Sequence, residues 1–140
     1  MVGTTTNKYP SGTATIPLIY IYNGYLYFNG NPVISISPGW HMAVIDLWAS
    51  STSGPFYMSL FLDGQFVSTA SFSSFAFFNY SNTFPYSDIG TIFNYFPSSA
   101  QWFFFNGTIA YVAVYNTVLS QSQVQQLYQA GFPNELFSNN

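Results

Sequence analysis

Four carboxylates and one imidazole are all the acid–base chemistry the chain offers beyond its tyrosines: Asp46, Asp63, Asp88, Glu135 and His41, with Lys8 as the only strong base. Hydrolysis of a glycosidic bond needs two carboxylates facing each other across it. These four are scattered, and no E-x-D-x-x-E-like run brings two of them together. A Ser-His-Asp triad would need His41 beside a nucleophile and an orienting acid. It follows Trp40 at the start of a strand-like run instead, where a structural role is the expectation. A lone histidine is a poor metal centre. With no cysteine, neither disulfides nor a Cys-based zinc or redox site is possible. The residues therefore point to a protein that is not an enzyme and needs no cofactor.

Binding chemistry is better supplied. Sugar rings lay their C–H faces on flat aromatics, and side-chain amides pair with hydroxyls. Trp48, Tyr80, Tyr86, Tyr95 and Trp102 fall in or near loop-like stretches, with Asn82 and Asn94 close by in sequence. Trp48, Tyr86, Tyr95 and Trp102 are the candidate carbohydrate-binding residues. In a chain with 22% aromatics the competing reading of each ring is a core residue or an interface anchor. Two glycosylation sequons occur, at Asn79 (Asn79-Tyr80-Ser81) and Asn106 (Asn106-Gly107-Thr108).

The scarcity of charge excludes several classes. Charged residues make up 4% of the 140, against about 25% in ordinary soluble domains. No basic surface exists to displace counterions from phosphates, so nucleic-acid binding is not expected. Apolar residues at 49% argue against disorder throughout. No run reaches the about 18 apolar residues of a membrane span, and the N-terminal stretch Met1–Lys8 has no apolar h-region of a signal peptide. Solubility rests on Ser, Thr, Asn and Gln, 48 residues in all. A surface with so little to titrate makes stability weakly dependent on pH, which suits an exposed or acidic setting.

The elements that must hold these residues are mostly strands. Length implies one domain with a real core. Residues 1–12 read as a polar arm, and 13–140 as the domain. Short β-branched and aromatic runs alternate with turn signals: Ala14–Tyr22, Tyr25–Phe28, Val33–Ser37, Trp40–Trp48, Phe56–Leu62 and Gln65–Ala70. Asn23-Gly24 and Asp63-Gly64 are hairpin turns, because both central positions need positive φ, and Asn29-Gly30-Asn31-Pro32 is a further turn. Asp88–Ile92 is a short strand, and Asn106-Gly107 a further turn. Thr108–Tyr115 is apolar or aromatic on both faces, which predicts a central strand covered on both sides. One helix is predicted near 120–130: Ser120 and Gln123 form a capping box, Val124, Leu127 and Tyr128 share a face, and Gly131 with Pro133 ends it. Regular turn spacing of this kind argues for an all-β sandwich.

Trp40-His41-Met42-Ala43-Val44, then Leu60-Phe61-Leu62-Asp63-Gly64, then Asp88-Ile89-Gly90, then Phe105–Ser120 running into the helix, stand in an order that resembles the laminin-G-like modules of the concanavalin A-like lectin and glucanase superfamily. The resemblance covers roughly residues 25–131, and the closing segment is its most specific part. It implies an antiparallel jelly-roll β-sandwich with one short C-terminal helix. The modules carry further strands ahead of the matched region, and the chain begins too late to supply them. They also place an acidic residue in the closing segment where this chain has Ala110 and Tyr111. Calcium sites of such modules use acidic loop side chains. Here only Asp46, Asp63, Asp88 and Glu135 could contribute carboxylates to the six to eight oxygens calcium takes; they do not map onto a set of such a site, so calcium is possible but weakly supported.

Self-assembly is the remaining reading. Natural edge strands are guarded by Lys, Pro and inward charges, and the one Lys lies outside the strands. A neighbouring subunit could supply a missing strand by β-addition, with residues 1–12 as donor. The expectation is a structural or decorating subunit of an extracellular, cell-surface or virion-like assembly, partnered by copies of itself. The alternative is a carbohydrate-binding adhesion module for cell-surface glycans.

Overall fold

A computed structural model describes residues 2–5, 16–51, 54–72, 86–96 and 99–131, with side chains described over 18–51, 54–71, 89–90 and 104–131. The chain is mostly β and antiparallel, with one short helix. Its strands are β1 (Val2–Thr5), β2 (Ile16–Tyr22), β3 (Tyr25–Phe28), β4 (Asn31–Ser35), β5 (Ala43–Ala49), β6 (Phe56–Leu62), β7 (Gln65–Phe72), β8 (Tyr86–Ile89), β9 (Thr91–Phe96) and β10 (Ser99–Phe104), followed by α1 (Gln121–Ala130). Contacts divide it into two compact units, Met1–Ser37 with Ser73–Ile109, and Pro38–Phe72 with Ala110–Asn140.

The first unit holds a five-stranded sheet in the order β4-β3-β2-β1-β8 and the separate β9–β10 hairpin. Asn23-Gly24 and Asn29-Gly30 have φ of 48° and 75°, and 48° and 78°. Positive φ at both central residues gives turns whose twist matches the flanking strands. Within β3 the alternation is plain: Leu26 and Phe28 are buried while Tyr25 is exposed and Tyr27 half-buried. Tyr27 stacks on Tyr20, its cross-strand partner, at 4.7 Å and 17°. Burial, and secondarily the Tyr27 phenol, push the Tyr20 hydroxyl above the usual tyrosine range. Residues 2–5, part of the stretch that composition reads as an arm, pair with both β2 and β8 of the same chain. Three of the four, Val2, Thr4 and Thr5, are β-branched, which suits a strand.

The second unit holds the three-stranded sheet β5-β6-β7 and α1. Its middle strand β6 is the strand buried on both faces, with Phe56, Met58, Leu60 and Leu62 on one side and Phe61 on the other. The sequence assigns that role to Thr108–Tyr115, and the structure corrects it. Those residues form no strand, and Ile109, Tyr111, Val112, Val114 and Tyr115 are exposed. The expected hairpin at Asn106-Gly107 is likewise absent, since only a bend occurs there and no strand follows. Two apolar faces make a segment competent for the centre of a sheet, but pairing requires two free neighbouring edges. No described strand pairs with this segment.

Helix α1 follows its sequence signals closely. Ser120 Oγ accepts from the Gln123 backbone N–H at 3.3 Å, and Gln123 Oε1 accepts from the Ser120 N–H at 2.8 Å. Val124 is fully buried against Phe61 and Leu119, with Met42, Val44 and Leu127 packed around them. Gly131 closes the helix at φ 72° and donates its N–H to the Tyr128 carbonyl. Gly64, at φ 80°, also lets the helix approach, because a Cβ there would stand 3.1 Å from Tyr128 Cβ. Ser120→Ala removes the cap and is expected to cost about 1 kcal/mol, read as a lower urea midpoint with an unchanged slope.

Candidate functional site

The β5–β6 register sorts one face of the second unit's sheet into three bands. Trp48 lies opposite Tyr57, Asp46 opposite Ser59, and Val44 opposite Phe61. The first pair stacks, with ring centroids 4.2 Å apart at 18°. Trp48 remains 40% exposed, so its ring is offered to solvent beside the stack. The middle band continues across the sheet: Ser59 pairs in register with Thr69 on β7, and their hydroxyls lie 3.0 Å apart. The third band is apolar and carries α1.

Asp46 is the unusual member. It is 6% exposed. Its Oδ1 accepts from the Leu119 N–H at 3.3 Å, and its Oδ2 is buried without a hydrogen-bond partner. Burial pushes its carboxyl above the ordinary carboxylate range, and the Leu119 bond offsets part of that rise. A charge in apolar surroundings is far costlier than a neutral carboxyl.

A second polar cluster sits where β5 begins and the β6–β7 hairpin turns. Asp63 Oδ2 lies 2.7 Å from His41 Nδ1, while Asp63 Oδ1 accepts from the Met42 N–H at 2.9 Å. The Asp63 N–H in turn donates to the Met42 carbonyl at 2.9 Å. An aspartate orienting a histidine through Nδ1 is also the inner half of a hydrolytic triad. Here the same carboxylate clasps the chain entering β5 to the hairpin turn. Asp63 also takes φ 51° at the first turn position, as a hairpin of this type demands.

The candidate sugar-binding residues are spread over both units. Trp48 belongs to the second. In the first, Tyr86 pairs with Thr5 at the start of β8, and Tyr95 and Trp102 occupy β9 and β10 opposite Ala100 and Phe93. Asn106 is exposed just beyond β10. Asn79, Tyr80 and Asn82 lie outside the described residues. Among the described residues no group of His, Asp and Glu gathers to hold a metal ion. Among the same residues no helix is long and apolar enough to cross a membrane. Tyr57 escapes sequence reasoning, although it lies the right distance beyond the Ser/Thr/Gly loop to meet Trp48 if β5 and β6 pair. No family model, no curated protein and no solved structure matches the chain.

Proposed function

We propose that the protein is a non-catalytic structural or decorating subunit that assembles with copies of itself on an extracellular, cell-surface or virion-like surface, on a laminin-G-like jelly-roll plan. The observation that carries this reading is the segment Ala110–Val118. It has the two-faced apolar pattern of a central strand, contains no charge, and is unpaired, with Val114 92% exposed. Monomers rarely leave contiguous apolar surface of this kind uncovered. Among the described residues the outer edges of β5 and β7 are also unpaired. β7 carries no charged residue and β5 only the buried Asp46. An uncharged strand-forming segment and uncharged edges on the same chain complement one another between copies, by strand addition. The laminin-G-like plan itself rests on the ordered motifs from Trp40 to Ser120. Light scattering over a rising concentration series tests the assembly. A mass that is a multiple of the chain's is expected, and a monomer at every concentration overturns the reading.

The stacked Trp48–Tyr57 pair beside the Asp46–Ser59–Thr69 band favours a second reading, a glycan-binding adhesion module. An exposed indole edged by hydroxyls is a suitable platform for a sugar ring. In this reading Trp48→Ala abolishes retention on immobilised glycans while the thermal midpoint stays within a few degrees of wild type. Failure of the wild-type protein to bind any glycan on an array rules it out.

A further inference from the structure

We propose that Asp46 is a proton-operated latch for helix α1: the neutral carboxyl keeps Leu119 and the helix behind it seated on the sheet, and the ionised carboxylate loosens them. The geometry singles the residue out. Leu119, the residue before the helix cap, is tied to the sheet by one bond from its N–H to Asp46 Oδ1, across 73 positions of sequence. The other oxygen, Oδ2, is buried with no partner. Asp46 is therefore at once the anchor of the helix's entry and the group whose ionisation the site tolerates least.

Among the described residues, only the Leu119 N–H relieves a charge on Asp46. On its own face of the sheet the neighbours are Val44, Trp48, Tyr57, Ser59, Phe61 and Thr69. Strands β6 and β7 carry no acid or base, and neither does any residue from Ala110 to Gly131. The titratable groups of the packed elements are phenols alone: Tyr57 on β6, Tyr111 and Tyr115 before the helix, and Tyr128 within it. The described ion pair, His41 with Asp63, is self-satisfied just ahead of β5, five residues before Asp46, about 16 Å away at the rise of a strand.

The direction follows from linkage. An acid that ionises less readily when folded stabilises the docked state fully at a pH below its unfolded value of about 4. That contribution is lost as pH rises through the folded value. The latch is therefore closed in acid and loosened towards neutral pH. Once Leu119 leaves the sheet, water reaches the carboxylate and takes over its solvation, so the helix end opens before β6 does.

Amide hydrogen exchange on the intact chain between pH 4 and pH 7, expressed as protection relative to intrinsic rates, tests this. Protection across α1 should fall about tenfold for each pH unit by which Asp46 is displaced, while β6 keeps its protection. Asp46→Asn, which retains an acceptor for Leu119 and cannot ionise, should make α1 protection flat with pH. In the wild type, carboxyl-carbon NMR should place the Asp46 midpoint above about 4, a requirement of the proposal that can be checked even if the variant does not fold. The proposal is overturned by a midpoint at or below that value, by loss of protection in α1 and β6 in step, or by an unchanged pH slope in the variant.

Discussion

Lysine at both Val112 and Val114 is expected to leave the protein monomeric at concentrations where the wild type scatters light as an oligomer. Val114 is 92% exposed and Val112 about half exposed. Neither substitution touches the core, and surface changes of this sort usually stay within about 0.5 kcal/mol of wild-type stability. In an assembled state the same two side chains would lie on one face of an added strand, two residues apart. Each buried valine contributes about 1.5–3 kcal/mol to the contact. Losing both weakens association by about 3–6 kcal/mol, or roughly a hundred- to ten-thousand-fold in Kd. Lysine also reproduces the device by which natural edges avoid pairing. An unchanged thermal midpoint together with loss of the oligomer is the expected pair of results. An oligomer of undiminished mass in the double variant would remove Ala110–Val118 from the interface.

Local signals in this chain proved the most legible, and the reason is physical. The Ser120–Gln123 capping box, the Gly131 end and the three Xaa-Gly hairpins depend on residues within a few positions of each other. Their energetics can be read without the rest of the fold. The burial of β6 and the exposure of 108–115 cannot, because both segments have two apolar faces and differ only in which found partners. Asp46 shows the same limit at a single residue. Period-two alternation places it on one face with Val44 and Trp48, yet its burial depends on Leu119, which no sequence spacing connects to it. Of the proposed sugar-binding residues, Trp48 could be picked as a ring near a loop, whereas Tyr57, the ring it stacks on, emerges only from the register of β5 on β6.

Few titratable groups suggest stability that barely responds to pH, and the structure refines that expectation. With only five charged residues in the chain, the pH profile of folding is not blurred by many small terms. One buried carboxyl can then dominate it, with stability declining from acid towards neutral pH. Of the acidic or exposed settings that the composition alone suggests, the acidic one is where Asp46 costs least.

Leu60→Ala is expected to destabilise the chain by about 2–5 kcal/mol, and Leu47→Ala by at most about half of that. The chemistry of the two changes is identical, and the strands are adjacent. Leu60 is fully buried at the middle of β6, with Ile45 opposite it on β5 and Ser68 on β7. Leu47 is 42% exposed on β5, which has a neighbour on one side only. Truncating Leu60 opens a cavity among neighbours held by hydrogen bonds on both flanks, so they cannot collapse inward. Truncating Leu47 removes contacts that water partly replaces. Urea unfolding of both variants against wild type checks the ratio, and equal losses would mean that β6 is not where the second unit keeps its stability. The contrast bears on assembly as well. If the core is anchored on β6, the exposed face of Ala110–Val118 contributes little to folding, and it can be given over to a neighbouring copy without weakening the subunit that presents it.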